Sequence, residues 1–413
     1  MKQKNTLLKN TVYLYLMTFS SYFFSLITLP YETRVLGPES FGVLGFATAF
    51  YMYFYVILDF GFILFATKKV TENSNDKGEL SKILSGVTYV KLIIFIFLII
   101  ALSIVCLSVE YLREKIVILI LYLIYAGVVS LIPDYLYRGL ENMKMITYRT
   151  IIVRTIFACM IFIFLKKPEH NFLVPLFNIV GNLVAIIFIL HDVKTNLKLK
   201  FIPVTWQYIM SLIKDSANYF FSRIASTIYS ATNTVILGFI YSADLTLGYY
   251  TSADKVRGLA SQAAAPIADS FYPYMLRTKN HKKLIVVTCL LESLIILAGI
   301  ILYFVAEDFC VLVFGEEYIN VAPILKMMIP LLMMILPSYM FGFPALSSIG
   351  ATKWANYSVE FATLNQIVGL LILYMFGEIT VQSVICLTTI SELVCLLTRV
   401  IVFFVKKPHK NDV

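Results

Sequence analysis

Long apolar runs alternate with short polar segments along almost the whole chain. A membrane-spanning helix needs roughly 20 apolar residues, and twelve runs meet or approach that length. They lie near 11–31, 41–66, 84–108, 115–135, 147–165, 172–190, 217–240, 246–274, 284–306, 321–347, 355–377 and 379–405. The first, seventh and eighth runs are the most polar. The pattern predicts an all-α integral membrane protein with twelve transmembrane helices.

The composition supports a membrane protein and leaves little room for an enzyme. Of 413 residues, 59% are hydrophobic and 14% are charged, whereas about 25% charge is usual in soluble proteins. The connecting segments are too short for a soluble catalytic domain, and neither a GxxxxGK[ST] nor a GxGxxG motif occurs. The six cysteines and four histidines lack the spacing of a metal site. We therefore predict a transporter without a cofactor.

The basic residues indicate the orientation of the chain. The net charge is +9, and this excess is not spread evenly. With the N-terminus in the cytoplasm, 22 basic residues fall in inside segments and five in outside segments. Because cytoplasmic loops are enriched in Lys and Arg, both termini are predicted to be cytoplasmic. The charge is thus a topology signal in a multi-pass protein of an inner or plasma membrane, and nucleic acid is not a predicted partner.

The two halves of the chain contain related segments. The sequence VLG at 35–37 precedes FGVLGFA at 41–47, and ILG at 236–238 precedes LGYYTSA at 247–253. A polar stripe on the helix before each segment shows a constant offset of 205 residues: Thr18, Ser21, Ser25 and Thr28, then Arg223, Ser226, Ser230 and Asn233. This similarity predicts two parallel six-helix repeats, residues 1–200 and 201–413, around a central cavity.

Charged residues at membrane depth are functional candidates because inserting each one costs roughly 2.5–3.5 kcal/mol. The basic candidates are Lys91, Arg154, Arg223, Lys255 and Arg257. Lys326 and Arg399 are predicted near helix ends, where a long side chain can reach the membrane surface. The acidic candidates are Asp59, Glu292, Glu360 and Glu392. An alternative for Arg257 is a structural ion pair with Asp254.

The aromatic run YMYFYV at 51–56 has two interpretations. Tyrosine rings can line a path for sugars, since a ring packs on the apolar face of a sugar. Aromatic residues also anchor helices at the membrane surface. The lipid-facing interpretation is the more common one for such a run, and we adopt it as the expectation.

Two groups of motifs resemble a known family. These are LPYETRVLGPESFGVLGFATAF, DFGF and ATKKV within residues 29–70, and LGYYTSADKVRGLASQAAAPIADSFYPYMLR at 247–277. They resemble the Wzx-type flippases for O-antigen or capsule repeat units, in the multidrug/oligosaccharidyl-lipid/polysaccharide exporter superfamily. The resemblance implies transfer of an undecaprenyl-diphosphate-linked oligosaccharide from the inner to the outer leaflet, by alternating access through a cationic cavity.

With this resemblance, the basic candidates become predicted substrate contacts, because arginine binds phosphate through two parallel hydrogen bonds. They are Arg223, Arg257, Lys255, Arg154, Lys91 and, at the exit, Arg34. The candidates for ion coupling or for pairing with cavity cations are Asp59, Asp254, Glu292 and Glu360. Because no ATP site is found, we expect coupling to a proton or sodium gradient. A polysaccharide polymerase is a further expected partner.

Two other classes remain as alternatives. A multidrug or cation antiporter of the same superfamily would favour an acidic cavity over the cationic one predicted here. A polytopic polymerase or glycosyltransferase would need a large outer loop with acid and base residues. The outer loops here are short, and the two carboxylates of ETRVLGPES, Glu32 and Glu39, look structural.

Overall fold

The computed structural model describes residues 2–241 and 245–406, and every regular element in this part of the chain is helical. The helices are α1 (Lys2–Asp59), α2 (Phe62–Glu72), α3 (Lys77–Ser108), α4 (Glu110–Glu114), α5 (Ile116–Leu131), α6 (Asp134–Gly139), α7 (Met143–Phe164), α8 (Leu173–Thr195), α9 (Trp206–Ile240), α10 (Leu245–Thr278), α11 (His281–Phe304), α12 (Ala306–Phe314), α13 (Val321–Met340), α14 (Leu346–Ser348), α15 (Thr352–Met375) and α16 (Val381–Lys406). Short 3₁₀ turns lie at Pro168–Phe172 and Glu316–Tyr318, and a π-helical turn lies at Phe341–Ala345.

α1 consists of two helices joined at Gly37. The backbone there has φ 67° and ψ 169°, a left-handed φ that glycine adopts without a steric penalty. The part before Gly37 packs on α7, and the Tyr31 hydroxyl donates to the carbonyl of Leu165, the residue that follows this helix, at 2.8 Å. The part after Gly37 packs on α5, where Tyr51 stacks on Tyr125. The glycine thus forms the turn between the first two apolar runs.

Nine segments of the described residues are long and apolar enough to cross a membrane. They are 12–72, 77–108, 116–139, 143–164, 168–195, 281–304, 321–348, 353–375 and 381–406. The helices α9 and α10 have 35 and 34 residues, so polar composition rather than length keeps them out of this set. This agrees with the sequence pattern, in which the seventh and eighth runs are among the most polar. The chain is a multi-pass, all-helical membrane protein.

The chain divides into two compact units, residues 1–227 and 228–413, with the division inside α9. The core of the first unit is formed by α2, α3 and α6, around Phe62, Leu84 and Leu136, none more than 1% exposed. The core of the second is built around Met275, Met340 and Phe403. The division at residue 200 that the repeat suggested remains a prediction.

Candidate functional site

The first unit contains a buried carboxylate shared by two cations. Asp59 is the last residue of α1 and is 2% exposed. Its Oδ1 atom lies 3.4 Å from the Nζ atom of Lys91 in α3, and its Oδ2 atom accepts a hydrogen bond from the guanidinium of Arg223 in α9. Lys91 also donates to the Ser130 carbonyl at 2.7 Å. With two cations and one anion, this charge triad has a net charge of about +1 when all three groups are ionised.

The local sequence explains how Arg223 reaches Asp59. After Asp59 the helix is interrupted by Phe60 and Gly61, which have φ 44° and 76°. A Cβ atom at Gly61 would lie 2.7 Å from the main-chain nitrogen of Phe220, so only glycine allows α9 to approach this closely. The rings of Phe60 and Phe220 stack with centroids 4.6 Å apart. Arg223, three residues after Phe220, is thereby placed beside the carboxylate.

A second ion pair lies near the triad and was not among the sequence candidates. The Arg149 guanidinium donates to Asp134 at 2.9 Å, and these side chains are only 13% and 21% exposed. Tyr55 lies within electrostatic range of both pairs, since Asp59, Asp134, Arg223 and Arg149 all act on its hydroxyl. The charge pattern of the sequence places Arg149 in a cytoplasmic segment. For Asp134, the only sequence feature that indicates a special position is that it follows the helix-breaking Pro133.

The YMYFYV run is not simply a lipid-facing belt. Tyr51 stacks on Tyr125 of α5 with centroids 4.5 Å apart and an interplanar angle of 13°. It also stacks on Tyr55, at 6.1 Å and 18°, and the guanidinium of Arg223 lies over the Tyr55 ring. Met52 between them is 43% exposed. The expectation was therefore wrong for Tyr51 and Tyr55, because their spacing of four residues places both rings on one helix face, where they pack against each other and against Tyr125.

The second unit contains a polar pocket. Arg257 donates to Asp254, one turn earlier in α10, at 2.5 Å, so the alternative of an ion pair is realised. The Tyr229 hydroxyl donates to Glu392 of α16 at 2.8 Å. The pocket is lined by Tyr229, Ser230, Asn233, Tyr250, Asp254, Arg257, Met328, Leu331, Ile385 and Thr388. The lining therefore combines the charged pair Asp254 and Arg257 with polar side chains and with the apolar Met328, Leu331 and Ile385.

A chain of amide and hydroxyl groups supports this pocket. Gln366 of α15 donates to Asn233 of α9 at 2.8 Å, and Asn233 donates to Thr388 of α16 at 2.8 Å. Gln366 also accepts from Ser391 at 2.8 Å. Because buried polar groups are costly unless they are paired, these contacts fix the mutual positions of the three helices.

The other predicted site residues belong neither to the charge triad nor to the lining of the pocket in the second unit. Arg154 is half-buried on α7, whereas Arg34, Lys255 and Glu360 are exposed. Glu292 of α11 is half-buried, and its Oε2 atom has no hydrogen-bond partner among the described residues. Within residues 2–241 and 245–406, no three His, Cys, Asp or Glu side chains are grouped as metal ligands.

Arg399 does not extend to the membrane surface as expected. It is 8% exposed and lies within the second unit. Its guanidinium donates to the Ser338 carbonyl at 2.6 Å and to the Ser358 hydroxyl at 2.8 Å. It also lies 3.1 Å from where a Cβ atom at Gly342 would be, inside the π-helical turn. Its role is to satisfy backbone groups at this break. Lys326 pairs with Glu307 at 3.2 Å and is 28% exposed.

The fold is that of transporters of the MOP superfamily. A multidrug resistance MATE family transporter of the MOP superfamily, in an inward-facing conformation, aligns with a TM-score of 0.70 at 14% identity, covering 94% of this chain and 96% of that one. The lipid II flippase MurJ, in an inward closed conformation, aligns with a TM-score of 0.72 at 14% identity, covering 96% of this chain and 87% of that one.

Sequence similarity identifies the family. A family model described as "Polysaccharide biosynthesis protein" matches residues 7–279, and the chain belongs to this family. A candidate O-antigen transporter of Escherichia coli (strain K12) is 27% identical over 417 residues, covering 98% of this chain and 97% of the relative. Another, from Shigella dysenteriae, is 26% identical, covering 75% of this chain and 78% of the relative. The resemblance indicated by the sequence motifs is confirmed.

Proposed function

We propose that this protein is a flippase that moves an undecaprenyl-diphosphate-linked oligosaccharide from the cytoplasmic to the outer leaflet by alternating access. The main support is the Lys91–Asp59–Arg223 triad, a net positive site inside a multi-pass protein of a polysaccharide biosynthesis family. A cationic site at membrane depth is expensive and suits an anionic, lipid-linked substrate. The near full-length similarity to a candidate O-antigen transporter agrees with this function.

In this proposal Arg223 and Lys91 bind the diphosphate. The side chain of Arg223 is 29% exposed, so it can turn toward a ligand, whereas the side chain of Lys91 is 4% exposed and contributes charge from behind. Asp59 holds both cations in place when no substrate is bound. Arg257, held by Asp254 in the pocket of the second unit, is a separate proposed substrate contact. Lys255 and Arg34, both exposed, contact the substrate during entry or exit.

Transport is driven by a proton or sodium gradient. Carboxylates within the membrane can hold a proton or a cation, and the candidates are Asp59, Asp254, Glu292 and Glu360. Glu292 is of particular interest because one of its oxygens is buried without a hydrogen-bond partner in the described part of the chain. Transport that continues unchanged after both gradients are collapsed would contradict this coupling.

The proposed architecture is twelve transmembrane helices in two six-helix repeats, 1–200 and 201–413, with both termini in the cytoplasm of a bacterial inner membrane. Nine candidate spans, the turn at Gly37 that divides the first of them into two, and the long helices α9 and α10 together support this number. A polysaccharide polymerase that receives the flipped units is a further proposed partner.

The function is tested by deleting the gene and locating the lipid-linked oligosaccharide. We expect it to accumulate in the cytoplasmic leaflet, with loss of surface polysaccharide. Wild-type protein should restore export, and Arg223→Gln or Arg257→Ala should not. Lys68→Gln is a matched control, because Lys68 is an exposed cation of α2, with 66% of its side chain accessible.

Two outcomes would contradict the proposal. Normal arrival of single repeat units in the outer leaflet, without polymer, would favour a polymerase. An unchanged lipid distribution combined with altered drug sensitivity would favour the multidrug antiporter.

A further inference from the structure

A cavity lies at one end of the first unit, and its lining shares no residue with the charge triad. Its volume is about 390 Å³, within the range of about 300–1,000 Å³ that is usual for small-molecule sites. Three segments line it: the part of α1 after Gly37, the residues around the start of α5, and the 3₁₀ turn Pro168–Phe172. The charge pattern of the sequence predicts that this end of the unit faces the outside.

The polar side chains of this cavity keep their capacity for hydrogen bonds. Glu114, Lys115 and Asn171 all line it. Within residues 2–241 and 245–406, none of these three side chains forms a hydrogen bond or a salt bridge. A carboxylate has only acceptors, an ammonium group has three donors, and an amide has both. The cavity therefore offers an anion, a cation and an amide to a ligand.

An aromatic ring restrains Lys115 without neutralising it. The Nζ atom of Lys115 lies 3.8 Å from the centre of the Tyr111 ring. That ring packs against Phe46 of α1, with ring centroids 5.5 Å apart, and Phe46 is fully buried. A cation over an aromatic face is attracted by the ring, but its charge is not cancelled by an anion. The ammonium group is thus held at the cavity and can still bind a phosphate.

The apolar part of the lining lies where lipid chains begin. Val117 and Phe172 are 64% and 40% exposed. Val117 is in the first turn of the candidate span 116–139, and Phe172 is near the start of the span 168–195. Residues at the start of a spanning segment lie at the boundary between headgroups and hydrocarbon. A ligand bound at Glu114 and Lys115 can therefore place an apolar part along Val117 and Phe172.

This combination of groups matches a phospholipid with an ethanolamine headgroup. Its phosphate accepts hydrogen bonds, which Lys115 and Asn171 can donate. Its primary ammonium donates hydrogen bonds, which Glu114 can accept. A phosphatidylglycerol headgroup has no cation for Glu114, and the trimethylated amine of phosphatidylcholine has no hydrogen to donate. Charge and hydrogen bonding therefore favour ethanolamine over both.

We propose that this cavity binds the headgroup of a phosphatidylethanolamine molecule from the surrounding membrane. Lys115 and Asn171 contact its phosphate, Glu114 contacts its amine, and its acyl chains begin along Val117 and Phe172. The inference is independent of the proposed transport function, because the cavity contains none of the residues that are proposed to bind the oligosaccharide lipid.

The test is a binding measurement with three lipids that have the same acyl chains. Purified full-length protein in detergent is titrated with phosphatidylethanolamine, phosphatidylcholine or phosphatidylglycerol, and bound lipid is counted by native mass spectrometry. Wild type should bind the ethanolamine lipid about threefold to tenfold more tightly than the other two, the effect of one charged hydrogen bond at a partly exposed site. Glu114→Gln should remove this preference. Lys115→Gln should weaken all three lipids, since all carry the phosphate, and Lys115→Arg should bind them nearly as wild type does.

Control variants separate this cavity from other lipid contacts of the protein. Glu110→Gln and Arg113→Gln each remove an exposed charge of α4 that does not line the cavity, and both should bind all three lipids as wild type does. Lipid sites elsewhere are common to every variant, so the difference from wild type reports on this cavity. The melting temperature of each variant is measured beforehand to verify that it is folded.

Three results would overturn the assignment. The first is equal affinity of wild type for the three lipids, or tighter binding of phosphatidylglycerol. The second is a preference for the ethanolamine lipid that persists in Glu114→Gln. The third is an equal loss of that preference in Glu110→Gln and Glu114→Gln, which would show that overall surface charge rather than the cavity selects the lipid.

Discussion

Replacing Asp59 by asparagine tests whether the charge triad stabilises the first unit. The substitution keeps the shape of the side chain and removes its charge. Lys91, with a side chain 4% exposed, is then left with the Ser130 carbonyl and no anion. Removing one partner of a buried ion pair costs about 3–5 kcal/mol. At about 2–4 °C per kcal/mol for a unit of this size, the melting temperature should fall by roughly 6–20 °C.

Buried cysteines provide the assay. Cys106 of α3 is 0% exposed and free, so it reacts with a thiol-specific fluorescent dye only when the first unit opens. The other five cysteines are replaced by serine, and dye labelling is followed while the protein is heated in detergent. Glu72→Gln is the matched control: Glu72 pairs with Lys68 at 3.9 Å with both side chains mostly exposed, and loss of such a pair costs at most about 1 kcal/mol.

A double variant identifies the cause of the loss. Lys91→Met in the Asp59→Asn background removes the uncompensated cation, and neutral replacement of a buried pair is often close to neutral in stability. The double variant should therefore recover most of the melting temperature. If Asp59→Asn has the same melting temperature as Glu72→Gln, the triad does not stabilise the unit and the reasoning is refuted. If the double variant melts as low as the single one, lost packing rather than charge is responsible.

Three further changes are expected to alter stability in the same melting assay, with the dye reporting on a buried cysteine of the affected unit. Arg399→Met should destabilise the second unit by about 1–3 kcal/mol, because backbone carbonyls lose their donor; an unchanged melting temperature would show that these carbonyls find other donors. Gly139→Ala places a Cβ atom 2.5 Å from Val70 and should cost about 1–3 kcal/mol from overpacking. Gly258→Ala, with nothing within 4 Å of the new atom, should instead be neutral or stabilise its helix by up to about 1 kcal/mol, and equal effects of the two glycine changes would contradict the steric argument. Asp76→Ala removes the side chain that accepts from two amides at the start of α3 and should cost about 0.5–2 kcal/mol, whereas Asp76→Asn should cost much less.

The charge triad shows which features of the candidate site are visible in the sequence and which depend on tertiary structure. Lys91, Arg223 and Asp59 were identified individually, because a charge within an apolar run is visible in the sequence. Their association could not be identified in this way, because it depends on the close approach of α9 to Gly61, at the helix interruption that follows Asp59. Asp134 and Arg149 were missed because both lie close to a predicted helix end. There, sequence position does not distinguish a solvated charge from a buried pair.

Arg399 illustrates the same difficulty from the opposite side. Its predicted place near a helix end suggested a side chain that extends to the membrane surface. In the structure the neighbouring helix contains a π-helical turn at Phe341–Ala345, and the guanidinium fills the space beside Gly342. A break in one helix that creates acceptors for another helix depends on packing between distant segments. The pattern of apolar residues does not contain that information.

The sequence by itself determined the class of protein, since runs of apolar residues long enough to cross a bilayer must become helices that satisfy their own backbone hydrogen bonds. It also determined the family, through the motifs around the Gly37 turn and at the start of α10. Tertiary structure alone decided which charges meet, that Tyr51 and Tyr55 face inward, and that Arg154 forms no salt bridge with an acid in the part of the chain that the structure describes. The physical reason is that hydrophobic periodicity depends on nearby residues, whereas an ion pair depends on where separate helices approach one another.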